Sequence, residues 1–443
     1  MESLETVSSE LNRWWRDGSW RWEVGERCRR TYDYVVDNLL DKEMSVVLSG
    51  IRRVGKTTVL KQLMNKLLNT GFKSNRMLYF QFSEREKRLG ELLRWFLADV
   101  DSGEYYVFLD ELQYVEEWRE VVKHYVDIST KIKFYITGSV SLDLNRLVGE
   151  SMAGRIVDLR MEPLTFGEAI ELKYGQKINE ELMEVMMSYE EKTLRIIVNE
   201  RRKYVGELGK YLKYGEYPAL LNYWNNEAYC KNYLGSGILD KVLTKDIKLF
   251  EVEKEDEFVW LYKLVAGNMA QIISVRKIAM EVGLAIPTID KYLGIMKKMN
   301  LIDDCKNRLK SIKSQMASQD KVMMSSLNMA LEILKIDDPL RPIFLEFKGH
   351  IVENMVFNGL KGYGKINYFR RKEKEVDFVV EVGNVVIPVE IKSGKTISKT
   401  DLNHIWDYME EEKLSMGWVM YNGEVEEIRR GNQKIILCPF WVV

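Results

Sequence analysis

Several residue groups in this chain are typed and spaced for chemistry. The stretch Gly50-Ile-Arg-Arg-Val-Gly-Lys-Thr57 follows an apolar run and opens an amphipathic one. Glycines at these positions let the backbone wrap a phosphate without interference from Cβ, and the N-terminus of the following helix faces the anion. On this reading Gly50, Arg52, Arg53, Val54, Gly55, Lys56, Thr57 and Thr58 line an ATP site. Lys56 would reach the β- and γ-phosphates, and Thr57 would ligate Mg2+. The stretch EYYVFLDELQ predicts a buried strand over 105–109 that ends in Asp110 and Glu111. Strand ends are where parallel α/β sheets bind ligands. Asp110 would hold Mg2+ through water, and Glu111 would act as general base on the attacking water, against the plainer reading of a solvated carboxylate.

A further apolar run, KIKFYITGS, ends at Thr137, Gly138 and Ser139. A polar group there would lie beside the γ-phosphate, and both Thr137 and Ser139 are candidates. Arg155, in GESMAGRIVDLR, is a candidate arginine finger, in cis or from a neighbouring subunit; a surface arginine in a loop fits the same residues.

In VVIPVEIKSGK, Glu390 and Lys392 are two residues apart on a predicted strand and therefore share a face. Unpaired charges on a half-buried strand are costly. Either they form a structural ion pair at a strand edge, or they belong to a chemical site.

The elements that must hold these groups make an α/β chain of several domains. A length of 443 residues is too long for one core. Hydrophobic residues at 46% and charged residues at 30% fit a soluble globular protein, and a net charge of −1 confines any nucleic-acid surface to a local patch. The four cysteines (Cys28, Cys230, Cys305, Cys438) form no CxxC pair, and the three histidines are scattered. That argues against a disulfide framework or a structural zinc site. The N-terminus lacks an apolar signal region and no long apolar run is present, so a cytoplasmic protein without membrane contact is expected. Boundaries follow changes of pattern: a P-loop ATPase domain with an N-terminal segment over 1–170, a helical lid over 171–255, a third domain over 256–335 and a last one over 336–443. Ahead of the P-loop, Trp14, Trp15, Trp20 and Trp22 are expected to pack the N-terminal segment onto the first domain, with base stacking as the alternative.

The stretch 274–302 reads as helix, glycine turn and helix, the helix-turn-helix signature, with 303–315 as a wing. Lys291, Lys297, Lys298, Arg308, Lys310 and Lys313 supply positive charge. Double-stranded DNA or another nucleic acid is the partner this would bind; a packing domain that relays ATPase motion is the alternative. From about residue 340 the elements run αβββαββ.

G-x-R-R-x-G-K-T, then D-E-x-Q (Asp110, Glu111, Gln113), then T-G-S, then G-R and P-L-T-F-x-E resemble a group of prokaryotic, often archaeal, AAA+ ATPases. The resemblance implies a P-loop ATPase with an added strand between the two motif strands and a helical lid packed on the ATPase. The last domain resembles the PD-(D/E)xK nuclease-like, or restriction-endonuclease-like, fold. That resemblance implies that Asp377 and Glu390 ligate one or two divalent metals, that Glu353 adds a helix carboxylate, and that Lys392 orients the water or stabilises the phosphorane. The expected function is an ATP-hydrolysing ATPase coupled to nucleic acid, with a metal-dependent nuclease effector. The alternatives are a nucleotide-driven assembly switch, in which a homo-oligomer forms and the last domain only binds, and a protein-remodelling ATPase.

Overall fold

The computed structural model describes residues 3–98, 101–139, 155–177, 182–340 and 345–443. The start of the G-R motif at Gly154 lies outside the described residues. Two compact units emerge, one of residues 1–162 with 298–300, the other of the remainder.

The first unit is built on five parallel strands: β1 (Ser45–Ser49), β2 (Met77–Gln81), β3 (Tyr105–Asp110), β4 (Ile132–Gly138) and β5 (Ile156–Arg160). Their order is β2-β3-β4-β1-β5. β4 therefore lies between the P-loop strand β1 and the acidic strand β3, as the ATPase resemblance implies. SVVLS and YYVFLD are buried at every position, the mark of strands covered on both faces. On one face, Leu92, Leu93, Trp118 and Val122 from two helices pack against Leu78, Val107, Leu109 and Phe134. Burying each such side chain contributes about 1.5–3 kcal/mol.

β2 is an edge strand, and the N-terminal segment covers it. Asn12 Oδ1 accepts from Tyr79 N at 2.6 Å, and Asn12 Nδ2 donates to Tyr79 O at 2.9 Å, so the side chain satisfies backbone groups that an open edge would leave bare. Trp14 is fully buried, and its ring lies 5.6 Å from Trp20 and 6.0 Å from Trp22. The tryptophans are packing residues.

The second unit holds a nine-stranded sheet. Its strands are β6 (Gln271–Ile272), β7 (Ile302–Asn307), β8 (Lys321–Met324), β9 (Lys365–Arg371), β10 (Lys374–Val382), β11 (Val385–Ile391), β12 (Met416–Tyr421), β13 (Glu426–Arg430) and β14 (Gln433–Pro439). The order is β13-β14-β12-β11-β10-β9-β7-β8-β6. The last domain gains one strand over the expected αβββαββ: β13, a charged edge strand whose sequence EEIRR lacks an apolar run.

The sheet runs across the boundary expected at 335, because β7 pairs in parallel with β9 through Lys306↔Asn367 and Asn307↔Tyr368. The segment expected as a lid on the ATPase is grouped with the C-terminal sheet. Trp418 Nε1 donates to Met186 O of this segment at 3.2 Å.

Helix Glu255–Gly267, β6, helices Val275–Val282 and Ile286–Lys298, then β7, a short helix Ile312–Ala317 and β8 follow one another, with β8 antiparallel to both β6 and β7. Gly283 ends the first helix of the central pair at φ +74°, a left-handed conformation that suits glycine.

Candidate functional site

The P-loop runs from the end of β1 into helix Lys56–Asn69. Gly50 has φ +142°, and a Cβ there would stand 2.3 Å from Met161 O. Gly55 and Arg53 are also in positive φ, at 105° and 67°. The loop is thus coiled back on itself with its backbone turned inward. Lys56 is buried, and its Nζ donates to Gly50 O at 2.7 Å and Ile51 O at 2.9 Å. Arg52 donates to Tyr114 OH at 3.0 Å. Arg29, which no motif marked, donates to Val54 O and Glu162 O, each at 2.8 Å, and so fastens the loop to the N-terminal segment.

Asp110 is fully buried at the end of β3 and is surrounded by hydroxyls. Thr57 Oγ1 lies 3.0 and 2.9 Å from its two oxygens, Tyr79 OH donates at 3.0 Å, and Thr137 Oγ1 donates to Oδ1. Burial pushes the Asp110 carboxyl up and the Glu111 charge adds to this, while the Thr137 and Thr57 hydroxyls work against it. The donor set fits Mg2+: an acidic oxygen and a threonine hydroxyl, both hard ligands, meet beside the loop that wraps phosphate.

Glu111 follows in left-handed backbone at φ +59°, which turns its side chain away from the strand line. Thr137 Oγ1 accepts the Glu111 N–H at 3.0 Å. Gln113 Nε2 donates to Glu111 Oε2 and, at 3.0 Å, to Ser139 Oγ; Ser139 N donates back to Gln113 Oε1 at 3.2 Å. The two candidates left open at the end of β4 thereby separate. Thr137 supports Asp110, and Ser139 joins Glu111 through Gln113.

Arg155 is not brought to this site. Ser45 N donates to Arg155 O at 2.8 Å, and β1 pairs with β5 from Ser45↔Ile156 to Ser49↔Arg160. Arg155 therefore stands at the far end of β1, about 13 Å along the strand from the P-loop. It pairs there with Asp127 at 3.3 Å. Of the readings left open for it, this register places Arg155 away from the P-loop of its own chain; Arg160 occupies the P-loop end of β5.

In the second unit, Asp377 (β10), Glu390 (β11) and Glu353 (helix Leu345–Leu360) come together, with a bulge in the β9–β10 pairing between Val376 and Val379. Asp377 Oδ2 accepts from Ile391 N at 2.8 Å. Lys392 Nζ lies 2.7 Å from Glu390 Oε1, so the ion pair is present; Glu390 Oε2 is buried without a hydrogen-bond partner. Burial pushes the Glu353 and Glu390 carboxyls well above the usual range. The Asp377 charge adds to both, against Lys321 at Glu353 and Lys392 at Glu390.

Lys321, missed in the sequence, opens β8 and is buried. Its Nζ stands 2.8 Å from Glu353, 3.1 Å from Glu375 and 3.8 Å from Asp377. Among the described residues no group of three or more His, Cys, Asp or Glu side chains is arranged to hold a metal ion. The metal seat expected at Asp377 and Glu390 does not fit a divalent ion with the ammonium in this place. The only sequence signal for Lys321 was a charge opening the apolar run KVMM.

Lys297, on helix Ile286–Lys298, meets Asp304 at 2.5 Å; of the expected wing, Arg308 meets Glu381 at 2.6 Å and Glu412 at 3.1 Å, and Lys310 meets Glu412 at 3.1 Å. No helix among the described residues is long and apolar enough to cross a membrane.

Residues 42–170 match the family model described as AAA domain, 205–339 match a domain of unknown function (DUF8612), and 348–441 match another (DUF4143). An uncharacterized protein of Haemophilus influenzae is 24% identical over 382 residues, covering 82% of this chain and 86% of its own length. An uncharacterized protein of Methanocaldococcus jannaschii, MJ1544, is 25% identical over 418 residues, covering 89% and 87%. Among solved structures, the Aeropyrum pernix ORC2 protein in its ADP form aligns over 79% of this chain and 98% of its own, at 10% identity and a TM-score of 0.35. The AAA-domain match and the P-loop geometry agree: the first unit carries a P-loop AAA-type nucleotide-binding domain.

Proposed function

We propose that the chain is an ATP hydrolase whose cycle is coupled to nucleic acid held by its second unit. The observation that carries the hydrolase is Glu111, turned out of β3 by its left-handed backbone and tied by Gln113 to Ser139. Bound Mg·ATP supplies the γ-phosphoryl group and the metal charge that offsets its oxygens. Lys56, which now caps two loop carbonyls, is the cation for the phosphates. Thr57 and Asp110 hold the metal. Glu111 takes the proton of the attacking water, and Gln113 keeps its carboxylate aimed. Arg155, partly exposed at the far end of its strand, suits only a trans role from a neighbouring copy in a homo-oligomer. ATPase turnover with and without single- and double-stranded DNA and RNA tests the coupling. Stimulation is expected, and turnover indifferent to all four rejects it.

The succession of helix, strand, two helices and an antiparallel strand pair around β8 supports the winged-helix reading. With Arg308 and Lys310 held by carboxylates, the contact falls on the exposed side of helix Ile286–Lys298 and the wing is secondary. Fluorescence anisotropy of a labelled duplex at two salt concentrations tests this; binding that ignores salt overturns it.

The grouping of Asp377, Glu390 and Lys392 supports a nuclease-like effector site. The ammonium of Lys321 favours the other reading, a C-terminal domain that binds without cutting. Metal-dependent cleavage lost in Lys392→Ala separates the two.

A further inference from the structure

The carboxylates of the second unit already enclose a cation. Lys321 Nζ stands within 4 Å of Glu353, Glu375 and Asp377, and 5.5 Å from the centre of the Tyr368 ring. Its position is fixed from two sides. β8 is paired with β6 and β7, Lys321 being opposite Ile272 and Cys305. The helix that carries Glu353 also grips β8: Asn354 Oδ1 accepts from Met324 N at 2.7 Å, and Asn354 Nδ2 donates to Met324 O at 2.8 Å.

A buried carboxylate needs a counter-charge, and an ammonium and a divalent metal answer the same need. They exclude each other in space. A metal demands carboxylate oxygens at about 2.0–2.6 Å from one point, whereas an ammonium nitrogen holds each oxygen at about 2.7–2.9 Å. The Lys321–Glu353 distance of 2.8 Å is that of an ammonium pair. Beyond the reach of Lys321, Glu390 Oε2 is buried with no partner at all, and only Oε1 meets Lys392. The cluster thus has an ammonium in the position a metal would take and one buried acidic oxygen that nothing satisfies.

We propose that Lys321 is the built-in counter-cation of Glu353, Glu375 and Asp377 and stands where a divalent metal would otherwise sit among them, so that metal enters only when Lys321 is withdrawn or replaced. This rests on the nuclease-like reading of these carboxylates. Because β8 lies between β6 and β7, the residue that closes the seat belongs to the segment assigned to nucleic acid.

The test is Mn2+ binding to the nucleotide-free full chain in a Thr57→Ala background, read as loss of the free-ion paramagnetic resonance signal. With Lys321 in place, no Asp377-dependent uptake is expected. Lys321→Ala should bind Mn2+ at least ten-fold more tightly, and Lys321→Ala with Asp377→Asn should lose that gain. If Lys321→Ala does not fold, Lys321→Met removes the ammonium, keeps the buried side-chain volume and gives the same readout. Asp377-dependent Mn2+ binding of equal strength with and without Lys321 overturns the built-in cation and leaves the metal site standing. No binding in any folded variant overturns both.

Discussion

Gln113 donates its side-chain amide to the Glu111 carboxylate and, 3.0 Å away, to Ser139 Oγ. The proposed general base is therefore aimed by a neighbour two residues along, not by the strand that carries it. Glu111→Gln should still bind ATP and lower kcat by about 10²–10⁴-fold, the usual worth of a positioned base. Gln113→Ala leaves the base in place and loosens its aim. It should lower kcat less than Glu111→Gln and leave KM for ATP nearly unchanged. Steady-state ATPase rates check both, and undiminished turnover in Glu111→Gln would remove it as the base.

Tyr79 joins the aromatic packing to the acidic strand. Its ring lies 5.2 Å from Trp22, edge-on, and its hydroxyl donates to Asp110 at 3.0 Å. Tyr79→Phe keeps the ring and removes one of the donors around a buried carboxylate. A hydrogen bond to a charged group contributes about 1.5–3 kcal/mol, so the first unit should lose a stability of that order. Urea unfolding followed by tryptophan fluorescence measures it.

Trp14 has no exposed surface, and its Nε1 donates to Met77 O at 3.4 Å. Trp14→Ala opens a cavity beneath the N-terminal segment and should cost about 3–5 kcal/mol. Nucleic-acid affinity should not follow, since a buried ring offers no face to a base. A variant with normal stability and weakened binding would reverse this assignment.

What could be read from the sequence was what lies close together along it. The loop from Gly50 to Thr57 and the buried run ending in Asp110 announce themselves, because a phosphate cradle and a doubly covered strand each have a local pattern. Register is not local. Arg155 looked suited to a finger until the pairing of Ser45 with Ile156 put it at the wrong end of β1. Lys321 is 32 residues before Glu353 and 56 before Asp377, and only the β8 pairing brings it to them. The union of β7 with β9 joins segments that a change of pattern marks as separate, and β13 escapes notice because an exposed charged edge needs no apolar run.

Glu216 shows how a buried carboxylate outside both sites should govern stability. It accepts from Ser326 Oγ at 2.6 Å and from the backbone N–H of Leu327 and Asn328 at 2.9 Å each, at the start of helix Leu327–Leu334. Burial nevertheless pushes its carboxyl up to about 7, with those donors and Lys361 pulling the other way. The folded state thus holds the proton more tightly than the unfolded chain, whose glutamate titrates near 4.3. The stability from this proton is complete below the unfolded value and is lost as pH rises from about 4.3 to about 7, by about 4 kcal/mol at most. Glu216→Gln has no such proton to lose. The stability difference between wild type and variant should therefore narrow across that window and stay constant above it. Urea unfolding at pH 4.5, 5.5, 6.5 and 7.5 measures the difference directly; a gap that does not change with pH would show that Glu216 is ionised throughout.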